Sequence, residues 1–215
     1  MKYTTIIFDL DGTLLNTLAD LAAATNYALA EHKLPQRTKD EVRLFVGNGI
    51  RKLIERAVPA DTPTELQEEV FASFNRYYKQ HCADSTRPYD GVQQLLQQLR
   101  AAGCRTAIVS NKADYGVQAL AKQYFDGQLD AACGERAGIA KKPAPDMLLA
   151  IMQQLKAEPK STIYIGDSDT DIATASNAGV NCIGACWGFR GRAFLEAHGA
   201  KLLAENVGDI WELIK

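Results

Sequence analysis

The 215-residue sequence has no apolar run that approaches the roughly 20 residues needed to cross a bilayer. It also has no excess of either charge, because 24 Lys and Arg residues stand against 26 Asp and Glu residues. A chain without a net basic character offers no evident surface for nucleic acid or for an anionic membrane. We therefore expect neither a membrane nor a nucleic acid as its partner.

Cysteine is scarce, and its spacing does not predict a metal site. The five cysteines form an odd number, and Cys182 and Cys186 have no His or Cys cluster nearby that could complete a ligand set. Reduced thiols in a cytoplasmic protein are the simplest interpretation. With 47% hydrophobic and 23% charged residues, the composition is typical of one globular domain, or of one domain with an insert.

Residues 5–9 predict a buried strand that ends in acidic residues. The strand is β-branched and aromatic, contains no Gly or Pro, and leads into Asp9, Asp11 and Gly12. In open α/β sheets, ligands bind at the carboxyl ends of the strands. An ordinary turn is the alternative, because Asp and Gly are also common turn residues.

The rest of the chain predicts an α/β fold with a Rossmann-like parallel sheet and a small all-helical insert after the first strand. From residue 17 to residue 83 the pattern is helical, and Thr17 and Asp20 have the spacing of a capping box. From Tyr89 onward, strands and helices alternate, which predicts a parallel sheet with helices on both faces. The predicted domains are an α/β core of residues 1–15 and 85–215 and a helical domain of residues 16–84.

Polar residues follow three of the predicted strands, and a Lys-Pro pair precedes a predicted helix. Because the ends of parallel strands share one edge, these groups can converge. Carboxylates within about 5 Å repel one another by a few kcal/mol at an effective dielectric constant of about 20, and Mg²⁺ relieves this repulsion. Carboxylates, hydroxyls, a lysine and Mg²⁺ are the groups that phosphoryl transfer uses. The groups are Asp9, Asp11 and Thr13; Ser110 and Asn111; Lys142 and Pro143; and Asp167 and Asp171.

These residues carry a resemblance to the phosphatase branch of the haloacid dehalogenase (HAD) superfamily, in which a helical cap follows the first motif. Within it, the chain is most similar to phosphoglycolate phosphatases, through the insert and the Trp187-Gly188-Phe189 segment. Asn16-Thr17 stands where an Asp-Ser pair is usual, and Lys141 stands where Gly is common. The matching motifs are Asp9-Leu10-Asp11-Gly12-Thr13, Ser110-Asn111, Lys142-Pro143 and Gly166-Asp167-Ser168-x-x-Asp171.

The resemblance implies a role for each acidic residue. Asp9 would attack phosphorus and form an aspartyl-phosphate. Asp11 would protonate the leaving oxygen and then deprotonate the attacking water. The implied cofactor is Mg²⁺, held by Asp9, by Asp167 and by the backbone carbonyl of Asp11, while Asp171 would bind the ion or orient its waters. For Asp171, an ordinary acid in the first turn of a helix is the alternative.

The other motif residues are implied to hold the substrate. Ser110 and Lys142 would contact the phosphoryl oxygens as catalytic groups, with support from Thr13 and Asn111. The alternatives are a helix N-cap for Ser110 and a solvated surface residue for Lys142.

Part of the helical insert would close over the substrate. Gly47 and Asn48 would lie in the closing loop, and Arg51 or Lys52 would meet a substrate carboxylate. For this loop the alternative is an ordinary turn between helices.

The expected function is hydrolysis of a small phosphomonoester, favouring 2-phosphoglycolate, by a monomer or homodimer. Two alternatives within the superfamily are a phosphosugar mutase similar to β-phosphoglucomutase and a pyrophosphatase. The alternative that is not an enzyme is a receiver-like phosphoacceptor module. Asp11 and the insert argue against it, because a receiver needs neither a leaving-group acid nor a lid.

Overall fold

The computed structural model describes all 215 residues, and the chain forms two compact units. Unit 1 consists of Met1–Leu15 and Pro88–Lys215, and unit 2 consists of Asn16–Arg87. Unit 2 contains the helical insert. Its interpretation as a cap over a site stays a prediction.

Eight strands form two sheets. In chain order they are β1 (Thr5–Phe8), β2 (Leu15–Asn16), β3 (Arg87–Pro88), β4 (Arg105–Ala113), β5 (Ala131–Glu135), β6 (Thr162–Gly166), β7 (Asn181–Ala185) and β8 (Leu202–Ala204). The two shortest, β2 and β3, pair with each other. The others form one parallel sheet in the order β5-β4-β1-β6-β7-β8. The predicted α/β fold with a parallel sheet is confirmed.

Ten α-helices complete the two units. In chain order they are α1 (Leu18–Glu31), α2 (Lys39–Phe45), α3 (Ile50–Ala57), α4 (Thr64–His81), α5 (Val92–Ala101), α6 (Asp114–Phe125), α7 (Asp146–Gln154), α8 (Asp169–Asn177), α9 (Arg192–Ala197) and α10 (Asp209–Ile214). The first four lie in unit 2 and the rest in unit 1. The sequence pattern does not predict α9 and α10, because six residues carry little periodicity. None of the helices is both long and apolar enough to cross a bilayer.

The central strand, β1, sets the position of the polar edge. All four of its residues are buried, and it pairs with β4 on one side and β6 on the other. In this register Phe8 lies beside both Ile108 and Ile165. Phe8, Ile108 and Ile165 therefore lie side by side across the three strands. The residues that come directly after each of them along the chain meet at one edge of the sheet.

An apolar core fixes the sheet against α7 and α8. Side chains alternate between the two faces of a strand, so Ile7, Val109 and Tyr164 from three adjacent strands can face the same helices. They belong to one buried cluster with Met147 and Leu148 of α7. Burying each such aliphatic side chain contributes about 1.5–3 kcal/mol.

The strand β4 extends further than the sequence pattern predicts. The pattern ends the strand at Val109, whereas β4 continues through Ser110 and Lys112 to Ala113, with a shift of register against β5. A glycine in the neighbouring strand makes room for this extension. A Cβ atom on Gly134 would lie only 2.6 Å from the carbonyl oxygen of Lys112.

The predicted capping box at the start of α1 is wrong. Thr17 precedes α1, but its side chain makes no capping hydrogen bond. The buried carboxylate of Asp20 instead accepts hydrogen bonds from the backbone N–H groups of Ser85 and Thr86 and from the Thr86 hydroxyl, at 2.7–3.0 Å. Three donors satisfy a buried carboxylate better than one local N–H. Asp20 therefore bonds to Ser85 and Thr86 instead of capping α1.

Replacing Asp20 with Ala should destabilise unit 2, because two buried N–H groups and a hydroxyl would lose their acceptor. We expect the free energy of unfolding to fall by about 3 kcal/mol. Urea unfolding followed by circular dichroism measures this change. The exposed Asp61 provides the matched control, Asp61→Ala. Equal stability of the two variants would contradict the role assigned to Asp20.

Candidate active site

Asp9 and Asp11 lie directly after β1, at the polar edge of the sheet. Asp9 is buried, and its Oδ1 accepts a hydrogen bond from the N–H of Leu10 at 2.7 Å. Gly12 has φ 85°, a left-handed conformation that turns the chain away after the two acids. A Cβ on Gly12 would lie 2.4 Å from Oδ2 of Asp167, so the backbone of the first motif passes directly against the fourth.

The ammonium group of Lys142 lies between two carboxylates. Its Nζ is 2.9 Å from Oδ1 of Asp9 and 2.7 Å from Oδ1 of Asp171, and it donates to the Tyr164 hydroxyl at 3.0 Å. Asn111 donates to the Lys142 carbonyl at 2.9 Å, which fixes the backbone of the lysine. Because only 2% of its side chain is exposed, Lys142 is not a solvated surface residue.

Asp171 both caps α8 and holds Lys142. Its Oδ2 accepts hydrogen bonds from the N–H and the hydroxyl of Ser168, at 3.1 and 2.6 Å, and these contacts belong to a capping box. Its Oδ1 accepts from Lys142 and lies 3.1 Å from the Tyr164 hydroxyl. Both carboxylate oxygens of Asp171 thus accept hydrogen bonds from protein groups. The predicted role of Asp171 in metal binding stays a prediction.

The loop after β7 holds Asp167. Its Oδ2 accepts a hydrogen bond from the Phe189 N–H at 2.6 Å, and the Thr13 hydroxyl lies 3.4 Å from its Oδ1. A Cβ on Gly188 would lie 2.2 Å from Cβ of Asp167 and 2.5 Å from the carbonyl oxygen of Gly12. Only a glycine at position 188 allows the loop after β7 to approach both Asp167 and the backbone of Gly12 this closely.

Ser110 and Thr13, the predicted phosphate-binding hydroxyls, are buried at the same edge. Ser110 Oγ accepts a hydrogen bond from the Lys112 N–H at 3.3 Å, and the Thr13 carbonyl accepts one from Trp187 Nε1 at 3.0 Å. The N-cap alternative for Ser110 is wrong, because Ser110 lies inside β4 and the residue that precedes α6 is Ala113.

Lys112 and Tyr164 belong to the site although the sequence pattern assigns them no role. The Nζ atom of Lys112 lies 3.1 and 3.2 Å from the two carboxylate oxygens of Asp11. Strand alternation is the signal for Lys112, since residues two apart in a strand share a side and Ser110 is already a candidate. For Tyr164, the signal is a hydroxyl-bearing aromatic residue within a buried strand.

The predicted substrate contacts of unit 2 have polar partners within their own unit. These contacts are Gly47, Asn48 and Arg51. The guanidinium of Arg51 forms an ion pair with Glu68 and lies over the ring of Phe71, 4.3 Å from its centroid. Asn48 Oδ1 accepts a hydrogen bond from Arg56 at 2.8 Å. Their roles in substrate binding stay predictions.

The polar edge holds more acidic than basic side chains. Burial raises the pKa of Asp9 to about 7 against the opposing effect of Lys142, and the Asp171 carboxylate raises it further. Burial also raises the pKa of Asp167 well above its ordinary value. A nucleophilic carboxylate must be ionised, so the site needs additional positive charge. The charged groups are the carboxylates of Asp9, Asp11, Asp167 and Asp171 and the ammonium groups of Lys112 and Lys142.

The donor set fits a hard divalent cation such as Mg²⁺. One oxygen from each of Asp9, Asp167 and Asp171 lies within 4.8 Å of the others. Carboxylate oxygens are the ligands that Mg²⁺ prefers, and its two charges would balance the edge. Asp171 already contacts Lys142, Tyr164 and Ser168, so Asp9 and Asp167, which have fewer hydrogen-bond partners, are better placed as ligands.

A parallel α/β sheet with this edge defines a site for phosphoryl chemistry, and comparison with known families agrees. Residues 6–185 match the family described as haloacid dehalogenase-like hydrolase. The chain belongs to this family.

Its relatives include curated phosphoglycolate phosphatases. The Pseudomonas putida enzyme is 34% identical over 209 residues, covering 94% of this chain and 76% of that protein. The Aquifex aeolicus enzyme is 32% identical over 189 residues, covering 86% and 85%. A crystal structure of a candidate phosphoglycolate phosphatase from Lactobacillus delbrueckii subsp. bulgaricus is 35% identical, with a TM-score of 0.94 and coverage of 100% and 99%. This chain is a phosphomonoester hydrolase.

Replacing Gly188 with Ala should displace Asp167, because the added Cβ would overlap its side chain and the Gly12 carbonyl. We expect the Mg²⁺ concentration at half-maximal activity to rise about tenfold or more. A Mg²⁺ titration of phosphate release measures this. The control is Gly208→Ala, at an exposed glycine whose nearest neighbour is the side chain of Asn206. An unchanged Mg²⁺ requirement would exclude this packing contact as a determinant of metal affinity.

Without divalent cations, stability should fall as the pH rises from about 4 to about 7. The pKa of Asp9 is raised from 3.8 to about 7, so folding favours its protonated form, and that stability is lost as the pH rises through the folded pKa. Mg²⁺ competes with the proton and should raise Tm more at about pH 7.5 than at about pH 5.5. Thermal unfolding in EDTA and in Mg²⁺ tests this. Equal Mg²⁺-induced shifts at both pH values would contradict it.

Proposed function

We propose that this chain is a Mg²⁺-dependent phosphatase that hydrolyses a small phosphomonoester, with 2-phosphoglycolate as the favoured substrate, through an aspartyl-phosphate. The observation that carries the proposal is the Lys142 ammonium between the carboxylates of Asp9 and Asp171 at the edge of the sheet. A fixed ammonium beside a buried carboxylate suits phosphoryl transfer, because it can stabilise negative charge on the transferred oxygens without reorganisation.

In the first step, Asp9 accepts the phosphoryl group. Its Oδ2, the oxygen without a hydrogen bond, forms a bond to phosphorus while the bond between phosphorus and the leaving oxygen breaks. The carboxylic acid of Asp11 donates its proton to that oxygen. The products are an aspartyl-phosphate and a free alcohol, which is glycolate when 2-phosphoglycolate is the substrate.

In the second step, water releases the phosphate. The Asp11 carboxylate, which has given up its proton, accepts one from the attacking water. The oxygen of the water bonds to phosphorus as the bond to Asp9 breaks. Inorganic phosphate leaves, and both acids return to their starting forms.

Residues at the same edge would hold the phosphoryl group. Lys142 and Ser110 contact its oxygens, and Thr13 supports them. Asn111 acts through Lys142, because its amide holds the lysine carbonyl. These positions are fixed before substrate binds, which lowers the entropic cost of orientation.

The carboxylates of Asp9 and Asp167 and the backbone carbonyl of Asp11 would hold the Mg²⁺. Asp171 would act mainly by fixing Lys142, since its oxygens already accept hydrogen bonds. When bound, the cation would supply the positive charge that keeps Asp9 ionised and offsets the charge of the phosphate.

The choice of 2-phosphoglycolate rests on the two curated relatives, which are phosphoglycolate phosphatases about one third identical to this chain. Gly47, Asn48 and Arg51 of unit 2 are the proposed substrate contacts. To meet a substrate carboxylate, Arg51 would exchange its pairing with Glu68 for the ligand. Both partners are half exposed, so this exchange costs little.

Replacing Asp9 with Asn should lower phosphate release by about 1,000-fold or more, because the nucleophile is lost. The assay measures phosphate released with Mg²⁺ from 2-phosphoglycolate, sugar phosphates, nucleotides and pyrophosphate. The control is Asp90→Asn, at an exposed position of unit 1. The highest kcat/KM is expected for 2-phosphoglycolate.

Other outcomes of the same assay would overturn the proposal. Activity that persists in Asp9→Asn would remove Asp9 from the mechanism. Isomerised sugar phosphate in place of free phosphate would identify a mutase, and a preference for pyrophosphate would identify a pyrophosphatase. A phosphorylated protein that lasts for minutes without turnover would identify a phosphoacceptor module.

A further inference from the structure

Lys112 is a second buried lysine at the catalytic edge, separate from Lys142. Its ammonium lies 3.1 and 3.2 Å from the two carboxylate oxygens of Asp11. The side chain of Lys112 is 2% exposed and that of Asp11 is 14% exposed. Because the ammonium contacts both oxygens, Lys112 restrains the direction in which this carboxylate points.

Surrounding contacts fix the position of Lys112. Its N–H donates to Ser110 Oγ at 3.3 Å, and its carbonyl lies where a side chain on Gly134 would collide with it. Its methylene groups run past Gly116 of α6, where an added Cβ would lie 3.4 Å from Cε of the lysine. Both ends of the side chain are therefore held, which suits a group that orients another.

The backbone of Asp11 is held by a bridge with Leu15, but this bridge does not fix the direction of the side chain. Asp11 lies beyond the end of β1 and is followed by Gly12, whose left-handed conformation imposes no side-chain restraint. A proton donor must lie within hydrogen-bond reach of the leaving oxygen. An unrestrained carboxylate on a turn would spend much of its time pointing elsewhere.

We propose that Lys112 is a positioning residue that aims the Asp11 carboxylate at the leaving group, an inference that rests on the proposed phosphatase function. The two lysines then contact different acidic residues. The ammonium of Lys142 contacts Asp9 and Asp171 on the phosphoryl-accepting side, and the ammonium of Lys112 contacts Asp11 on the proton-transferring side.

The test compares substrates that differ in their need for a proton. An alkoxide is a poor leaving group and requires protonation, whereas p-nitrophenolate leaves as a stable anion. For Lys112→Met we expect kcat/KM to fall about 30-fold or more for 2-phosphoglycolate and for ethyl phosphate, an uncharged alkyl ester. For p-nitrophenyl phosphate we expect a fall of about threefold or less.

Asp11→Asn and the double variant test whether the loss of activity in Lys112→Met arises through Asp11. Asp11→Asn alone should show the same discrimination between alkyl and aryl esters. Adding Lys112→Met to Asp11→Asn should change the alkyl-to-aryl ratio no further, because the group it positions has already lost its function. Lys112→Arg, which keeps a cation, should recover part of the alkyl activity.

Two results would overturn the inference while leaving the phosphatase function intact. An equal loss for alkyl and aryl esters in a folded Lys112→Met protein would indicate a purely structural role. A loss confined to 2-phosphoglycolate would indicate direct contact with the substrate carboxylate. Lys122→Met, at an exposed position of α6, is the control for removing a lysine, and thermal unfolding verifies folding. Wild-type protein without activity on any ester would instead overturn the proposed function itself.

Discussion

The interaction on which the site depends is the pairing of the Lys142 ammonium with the carboxylates of Asp9 and Asp171. Burial lowers the pKa of a lysine, yet the two carboxylates outweigh it and raise the pKa of Lys142 above its ordinary value. The lysine therefore stays charged inside the protein. A single ammonium cannot neutralise two acids, and Asp167 lies close by. The same arrangement that keeps Lys142 charged thus leaves the site in need of a cation and suited to a phosphate ester.

The fold supplies this arrangement through strand register and close backbone contacts. The motifs that follow β1 and β6 meet the motif within β4 because Phe8 pairs with both Ile108 and Ile165, just before each motif. Gly12 and Gly188 then let two loops touch Asp167. Because each contact joins residues far apart in the sequence, the positions of the catalytic groups depend on the whole of unit 1.

Patterns that repeat along the chain predict the fold, whereas the partners of individual side chains depend on long-range competition. Alternation of strands and helices predicts the parallel sheet, and the motif at Asp9 predicts its polar edge. The capping box at Asp20 is wrong because distant N–H groups outcompete the local one. The proposed positioning role of Lys112 depends on the extension of β4, and Gly134 in β5 makes room for that extension. The spacing of residues along the chain carries no information about the distant partners of Asp20 and Lys112.

The two lysines divide the site into halves with different chemical tasks. On one side, the Lys142 ammonium contacts Oδ1 of Asp9 and leaves Oδ2 without a hydrogen bond, as the proposed role of Asp9 as nucleophile requires. On the other side, the Lys112 ammonium contacts both carboxylate oxygens of Asp11, which gives the proposed proton donor a fixed direction. Ser110 and Lys112 lie on the same strand, two residues apart. A displacement of this strand would therefore move the proposed phosphate-binding hydroxyl and the proposed support of the acid together, which would keep the proposed proton transfer aligned with the phosphoryl group.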